Sequence, residues 1–165
     1  MRWFVLLAAI VLSGCNIHQK IYQLDKSSPK AELMVIADKR GGATKRILHI
    51  DAYDINECTL DTPLTREHPS YQGVLLYHTQ DSEHQIEETT IIKANQPITL
   101  SLSLSHLSES YSHICYSRFI QFVPKNNAQY ELELDEFCEV KIFIQEPGVE
   151  QKLIDDTVVD MIQCT

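Results

Sequence analysis

Five cysteines and seven histidines carry most of the reactive chemistry in this chain of 165 residues. Cys58, Cys115, Cys138 and Cys164 contain no C-x-x-C spacing, which disfavours zinc knuckles and thioredoxin-like redox motifs and leaves paired disulfides as the chemistry they offer. His78 and His84 flank one polar turn, His106 and His113 flank another, and Asp81 or Glu83 could add an oxygen ligand beside the first pair. No ligand spacing matches a zinc motif, so solvated loop histidines are the preferred reading and no metal is assigned. His49 and Asp51 share one face of an extended stretch, whereas Asp54 lies on the other. Asn56 and Glu57 follow without the glycine of a calcium loop, so this reads as a solvent-facing polar edge. Ser101, Ser103, Ser105, Ser108, Ser110 and Ser112 are the outer face of a strand and its loop, and no His–Asp pair can be assigned to any of them. There is no G-x-S-x-G, H-E-x-x-H, Walker loop, G-x-G-x-x-G or EF-hand loop; no cofactor and no catalytic residue is assigned.

The elements that position these groups are read from an apolar period of two. Leu33, Val35 and Ala37 alternate with Glu32, Met34 and Ile36, and a strand at 46–54 follows the turn at Gly41-Gly42, which together read as a hairpin. Its tip holds Lys39, Arg40, Lys45 and Arg46, the one basic patch. These residues could touch anionic lipid headgroups at about 1 kcal/mol each, although a solubilising hairpin tip is the simpler reading. Further strands are expected at 71–78, 86–93, 98–105, 114–123, 129–134 and 138–145. Ile98, Leu100, Leu102 and Leu104 against Thr99, Ser101, Ser103 and Ser105 give the clearest one-sided pattern. The tail from Val149 fits either a short helix, through Ile154, Val158, Met161 and Ile162, or a last strand. Short strands with turn signals between them predict an all-β domain over 31–165, a two-sheet antiparallel sandwich.

Strand order also predicts the disulfides. Cys115 opens one long strand and Cys138 the next but one. A chain that runs up, down and up brings both to one end, within the ~4.4–6.8 Å between Cα atoms that a bridge needs. If Cys15 is set aside, Cys58–Cys164 is left by elimination, closing most of the domain and holding its tail.

Composition narrows the function. Lys and Arg total 14 against 23 Asp and Glu, a net charge of −9, which disfavours nucleic acid as a partner. A hydrophobic share of 44% excludes general disorder.

The N-terminus supplies the most specific pattern. Arg2 precedes a ten-residue apolar run, Trp3 to Leu12, which is too short to remain as a spanning helix. Leu12-Ser13-Gly14-Cys15 closely resembles the lipobox of bacterial lipoproteins. The resemblance implies a signal peptide over 1–14, a diacylglyceryl group on Cys15, and fatty acylation (palmitate) of the mature chain. Asn16 is not the Asp that commonly retains such proteins at the inner membrane, so the outer membrane is implied, with the domain facing the periplasm. Residues 15–30 read as a flexible tether. With Cys15 acylated, the other four cysteines form an even set in an oxidising compartment.

A second pattern, Cys115, Phe119, Phe122 and Pro124, then Tyr130, then Cys138 and Val140, resembles uncharacterised proteobacterial lipoproteins with an immunoglobulin- or transthyretin-like sandwich. It departs from them at Asn126-Asn127-Ala128, where a glycine-containing turn is expected, and in the extra Cys164. The function expected is a non-catalytic binding or structural module of the envelope with a protein partner. The alternatives are a periplasmic enzyme or metal-binding protein using the loop histidines, or the outer-membrane anchor of a secretion assembly.

Overall fold

The computed structural model describes residues 19–37, 45–54, 64–80, 85–109, 112–135, 137–145, 152–153 and 158–159. They form ten strands: β1 (Lys30–Ala37), β2 (Lys45–Tyr53), β3 (Tyr71–Gln80), β4 (Ile86–Lys93), β5 (Ile98–Leu107), β6 (Ser112–Phe122), β7 (Gln129–Leu134), β8 (Val140–Gln145), β9 (Lys152–Leu153) and β10 (Val158–Val159). One sheet has the order β4-β1-β7-β8-β9 and the other β10-β6-β5-β2-β3. All neighbours are antiparallel except β1 and β7, which run parallel from Glu32↔Gln129 to Ala37↔Leu134. The predicted two-sheet sandwich is thus present, with one parallel pair that periodicity does not reveal.

Alternation explains the layers. Leu33 and Val35 of β1, Leu48 and Ile50 of β2, Leu100, Leu102 and Leu104 of β5, and Leu132 and Ile142 of β7 and β8 are buried between the sheets. Each such side chain contributes about 1.5–3 kcal/mol relative to exposure. Tyr130 packs on Phe122 with ring centroids 5.1 Å apart, and its hydroxyl accepts the Lys125 N–H at 2.9 Å, which fixes the crossing from β6 to β7. Asn127 has φ 59°, the left-handed conformation that Asn tolerates best after Gly, so it does the work of the glycine missing from this turn.

Two expectations need correction. β1 and β2 do not form a hairpin: β1 lies between β4 and β7, β2 lies between β5 and β3, and the chain crosses from one sheet to the other between them. The alternating pattern places a strand's face but not its neighbour. Of the two alternatives for the tail, Lys152–Leu153 and Val158–Val159 take the strand, one at the edge of each sheet, while Ile154, Met161 and Ile162 lie outside the described residues.

The second correction concerns the tether. Over Lys20–Tyr22 the chain is laid against β3: Tyr22 N–H donates to the Val74 carbonyl at 2.9 Å, and Val74 N–H to the Lys20 carbonyl at 2.8 Å. Lys20 Nζ donates to the Tyr71 carbonyl at 2.6 Å, and the Tyr22 hydroxyl accepts the Lys93 N–H at 3.1 Å. This close approach needs Gly73, at φ +132°. A Cβ there would lie 2.6 Å from Tyr22 N and 2.7 Å from the Ile21 carbonyl carbon.

Candidate functional site

Two groups of chemistry-bearing side chains emerge, on different parts of the sandwich. The first is on the outer face of β2. His49 and Asp51 stand two residues apart with Nε2 and Oδ1 3.1 Å apart, as the alternation predicts. Asp51 Oδ1 also accepts the Tyr71 hydroxyl at 3.0 Å, and its Oδ2 accepts Arg66 Nε at 3.4 Å. Arg66 Nη2 lies 3.1 Å from His49 Nδ1 and 2.7 Å from Nε2. Arg66 thus meets both ring nitrogens, and Nε2 lies between the guanidinium and the Asp51 carboxylate. Tyr77 caps the imidazole edge-on at 5.7 Å.

Electrostatics follow from this ring of partners. Burial acts to raise the Asp51 pKa, but the His49 hydrogen bond and charge, the Tyr71 hydroxyl and the Arg66 guanidinium outweigh it and hold the carboxyl below its ordinary value. Tyr71 is pushed up to about 12 by burial first and then by its bond to the Asp51 carboxylate. Tyr53, 5.4 Å from Tyr71 between ring centroids, is also raised, chiefly by burial.

The topology sets serines beside this dyad, which sequence reading could not do. Ser101 is the cross-strand partner of Asp51, and Ser103 of His49. A Ser–His–Asp relay needs an imidazole nitrogen to take the serine proton. Both nitrogens of His49 are occupied, by Asp51 and Arg66, so this arrangement clamps the 64–70 loop onto the sheet instead of activating a nucleophile. Arg66 was not among the sequence candidates, because nothing in its surroundings marks it as a partner of residues 15 positions away. Asp54 stands apart, exposed, with its N–H on the Ser70 carbonyl.

The second group lies where β5 turns into β6. Cys115 and Cys138 are bonded, with Cα atoms 5.2 Å apart, at one end of the sandwich as the strand order predicts. The bridge joins the two sheets, since Cys115 is on β6 and Cys138 precedes β8. Closing a loop of this length is worth ~3 kcal/mol in the chain-entropy account. Cys138 has φ 68°, an uncommon conformation for a residue with a side chain. His113 comes to the same place through a bulge: the β5–β6 register shifts between Leu102 and Leu104. Consequently Cys115 points inward above the shift, while Ile120 and Phe122 point inward below it. His113 Nε2 lies 3.6 Å from Cys138 Sγ and 4.0 Å from Cys115 Sγ. His106, the cross-strand partner of His113, is fully buried, with its ring centroid 6.0 Å away.

The remaining candidates are dispersed. His78 Nδ1 pairs with Glu88 Oε1 at 2.6 Å, tying the edge strands β3 and β4 of the two sheets. Lys45 is exposed, but Arg46 is buried, at 1% exposure. Burial lowers its guanidinium pKa. Arg46 alternates onto the core side of β2 with Leu48 and Ile50, so it cannot belong to a headgroup-contacting tip. Cys15, Cys58, Cys164, Lys39, Arg40, Asn56, Glu57, Asp81, Glu83, His84 and Ser110 lie outside the described residues. No helix among the described residues is long and apolar enough to cross a membrane.

No family model matches this sequence, and no curated protein resembles it closely enough to count as a relative.

Proposed function

We propose that this chain is a lipid-anchored protein of the bacterial outer membrane whose sandwich serves as a non-catalytic binding or structural module facing the periplasm. The observation that carries this reading is Leu12-Ser13-Gly14-Cys15 behind a charged residue and a ten-residue apolar run. Docking of the chain at Lys20 supports a short leash. From Cys15 to Lys20 the backbone spans at most about 17 Å, whereas β2 with its nine residues is roughly 30 Å long. Lys20 sits beside Tyr71, at the end where β3 begins. The leash thus holds that end near the bilayer and turns the other, with Lys45 and the disulfide, toward the periplasm and an envelope protein partner. A headgroup role for Lys45 has no place in this orientation.

The test is Cys15→Ala in the native host, with metabolic labelling by a fatty acid. Wild type should take the label and sediment with membranes; the variant should take none and appear folded in the soluble periplasmic fraction. A variant that still sediments in high salt without detergent, or a wild type that takes no label, would overturn the reading.

A further inference from the structure

We propose that reduction of the Cys115–Cys138 bridge opens a cation site, in which His113 and the two thiolates bind a zinc-class ion with His106 as the second imidazole in reach. This rests on the disulfide end alone and is independent of the anchor. Among the described residues, His113, Cys115 and Cys138 are the group whose ligand atoms all lie within 4.8 Å of one another.

The geometry fits a tetrahedral ion. With metal–sulfur bonds near 2.3 Å and metal–nitrogen bonds near 2.0–2.1 Å, adjacent nitrogen and sulfur ligands stand ~3.5 Å apart, and two sulfurs ~3.8 Å. The two nitrogen–sulfur edges of that face are already close to this, at 3.6 and 4.0 Å. Only the sulfur–sulfur edge is wrong, because a covalent bond holds it short. Two imidazoles sharing an ion have centroids ~5 Å apart for the same bond lengths, so His106, at 6.0 Å, needs to move by about one ångström. The site is also reachable, since His113 and Cys138 are only half-buried and Phe137, beside Cys138, is largely exposed.

The chemistry balances in two steps. An external dithiol attacks the bridge and is oxidised to a disulfide, leaving Cys115 and Cys138 as thiols. A divalent cation then displaces both thiol protons to solvent and takes the two thiolates and the imidazole as ligands. Bridge and ion exclude each other, so the same end of the sandwich is either a covalent staple or a metal clasp.

The full chain in detergent, carrying Cys15→Ser, Cys58→Ser and Cys164→Ser, isolates the two thiols. Oxidised, it should bind no cobalt(II); reduced under argon, it should bind one equivalent with a thiolate-to-cobalt charge-transfer band and the intense visible bands of a tetrahedral ion. His113→Ala should weaken binding by more than the roughly 10–100-fold that loss of a supporting contact costs. No band on reduction, or affinity unchanged in His113→Ala, would overturn the proposal. Should the triple variant fail to fold, the reduced wild-type chain decides by thiol alkylation mapped with mass spectrometry. One equivalent of zinc should protect Cys115 and Cys138 at least tenfold more than Cys58 and Cys164, and equal protection would refute the site.

Discussion

Gly73→Ala is the sharpest test of how the N-terminal segment is held. The new Cβ would meet backbone atoms of Tyr22, Ile21 and Lys20 at 2.6, 2.7 and 2.9 Å, and backbone cannot swing aside as a side chain can. Either Ala holds φ +132°, a conformation costing about 1–3 kcal/mol for a residue with a side chain, or the segment lifts off β3. Lifting it gives up the two backbone bonds between Tyr22, Val74 and Lys20 and the Lys20 ammonium bond to Tyr71. At about 0.5–1.5 kcal/mol each, somewhat more for the charged donor, these sum to ~2–4 kcal/mol. The expected loss is therefore ~2–4 kcal/mol, a large share of the 5–15 kcal/mol typical of a domain. Urea unfolding gives the magnitude, and hydrogen exchange at the Val74 and Tyr22 amides shows which route is taken. Trypsin should also cut after Lys20 and Lys26 faster in the variant. A change within ~0.5 kcal/mol, with both amides as protected as in wild type, would refute the reasoning.

Two further outcomes follow from buried charge and from the Asp51 clamp. Arg46→Ala removes a buried stem and its polar end and should destabilise by about 2–4 kcal/mol in urea melts; a loss under ~0.5 kcal/mol would place Arg46 at the surface after all. Asp51→Asn should cost ~1.5–3 kcal/mol at neutral pH, the range for hydrogen bonds to a charged acceptor. Because the folded-state carboxyl sits below the ordinary value near 3.9, its contribution is complete above about pH 4. It is lost as pH falls through the folded pKa, so unfolding midpoints of wild type and variant should converge in acid. Parallel curves from pH 7 to pH 3 would show that Asp51 is not depressed.

Much of the frame was legible in the residues, for reasons that differ by element. Leu100, Leu102 and Leu104 against Ser101, Ser103 and Ser105 state their own faces, and the Cys115–Cys138 pairing follows from strand direction alone. What period-two reading cannot supply is a strand's neighbour, which is why β1 and β2 were paired when they sit in opposite sheets. Arg46 looked like a tip residue by its charge, although its parity with Leu48 and Ile50 already put it inside. The His49–Asp51 pair was visible, but Arg66 and Tyr71, which complete it, arrive from other segments. His113 reaches the sulfurs through a bulge, and a bulge leaves no mark in alternation. The polar composition of residues 15–30 reads as a free tether, because the two backbone bonds that lay it on β3 depend on the absence of a side chain at position 73, and the partners of the Lys20 ammonium and Tyr22 hydroxyl lie more than 50 residues away.

The parallel bridge between Ile21 and Val74 also has a mechanical meaning. Tension applied at the N-terminus reaches the hydrogen bonds at Lys20 and Tyr22 before it reaches the sandwich. Once they part, residues 20–29 can straighten to at most about 35 Å end to end with both sheets intact. The load then falls along the axis of β1, which is paired with β4 from Lys30 to Ala37 and with β7 from Glu32 to Ala37. That geometry is shear, with many bonds strained together, whereas the docked segment peels a bond or two at a time. Peeling is thus confined to the docked segment, while the sandwich itself is loaded in shear along β1.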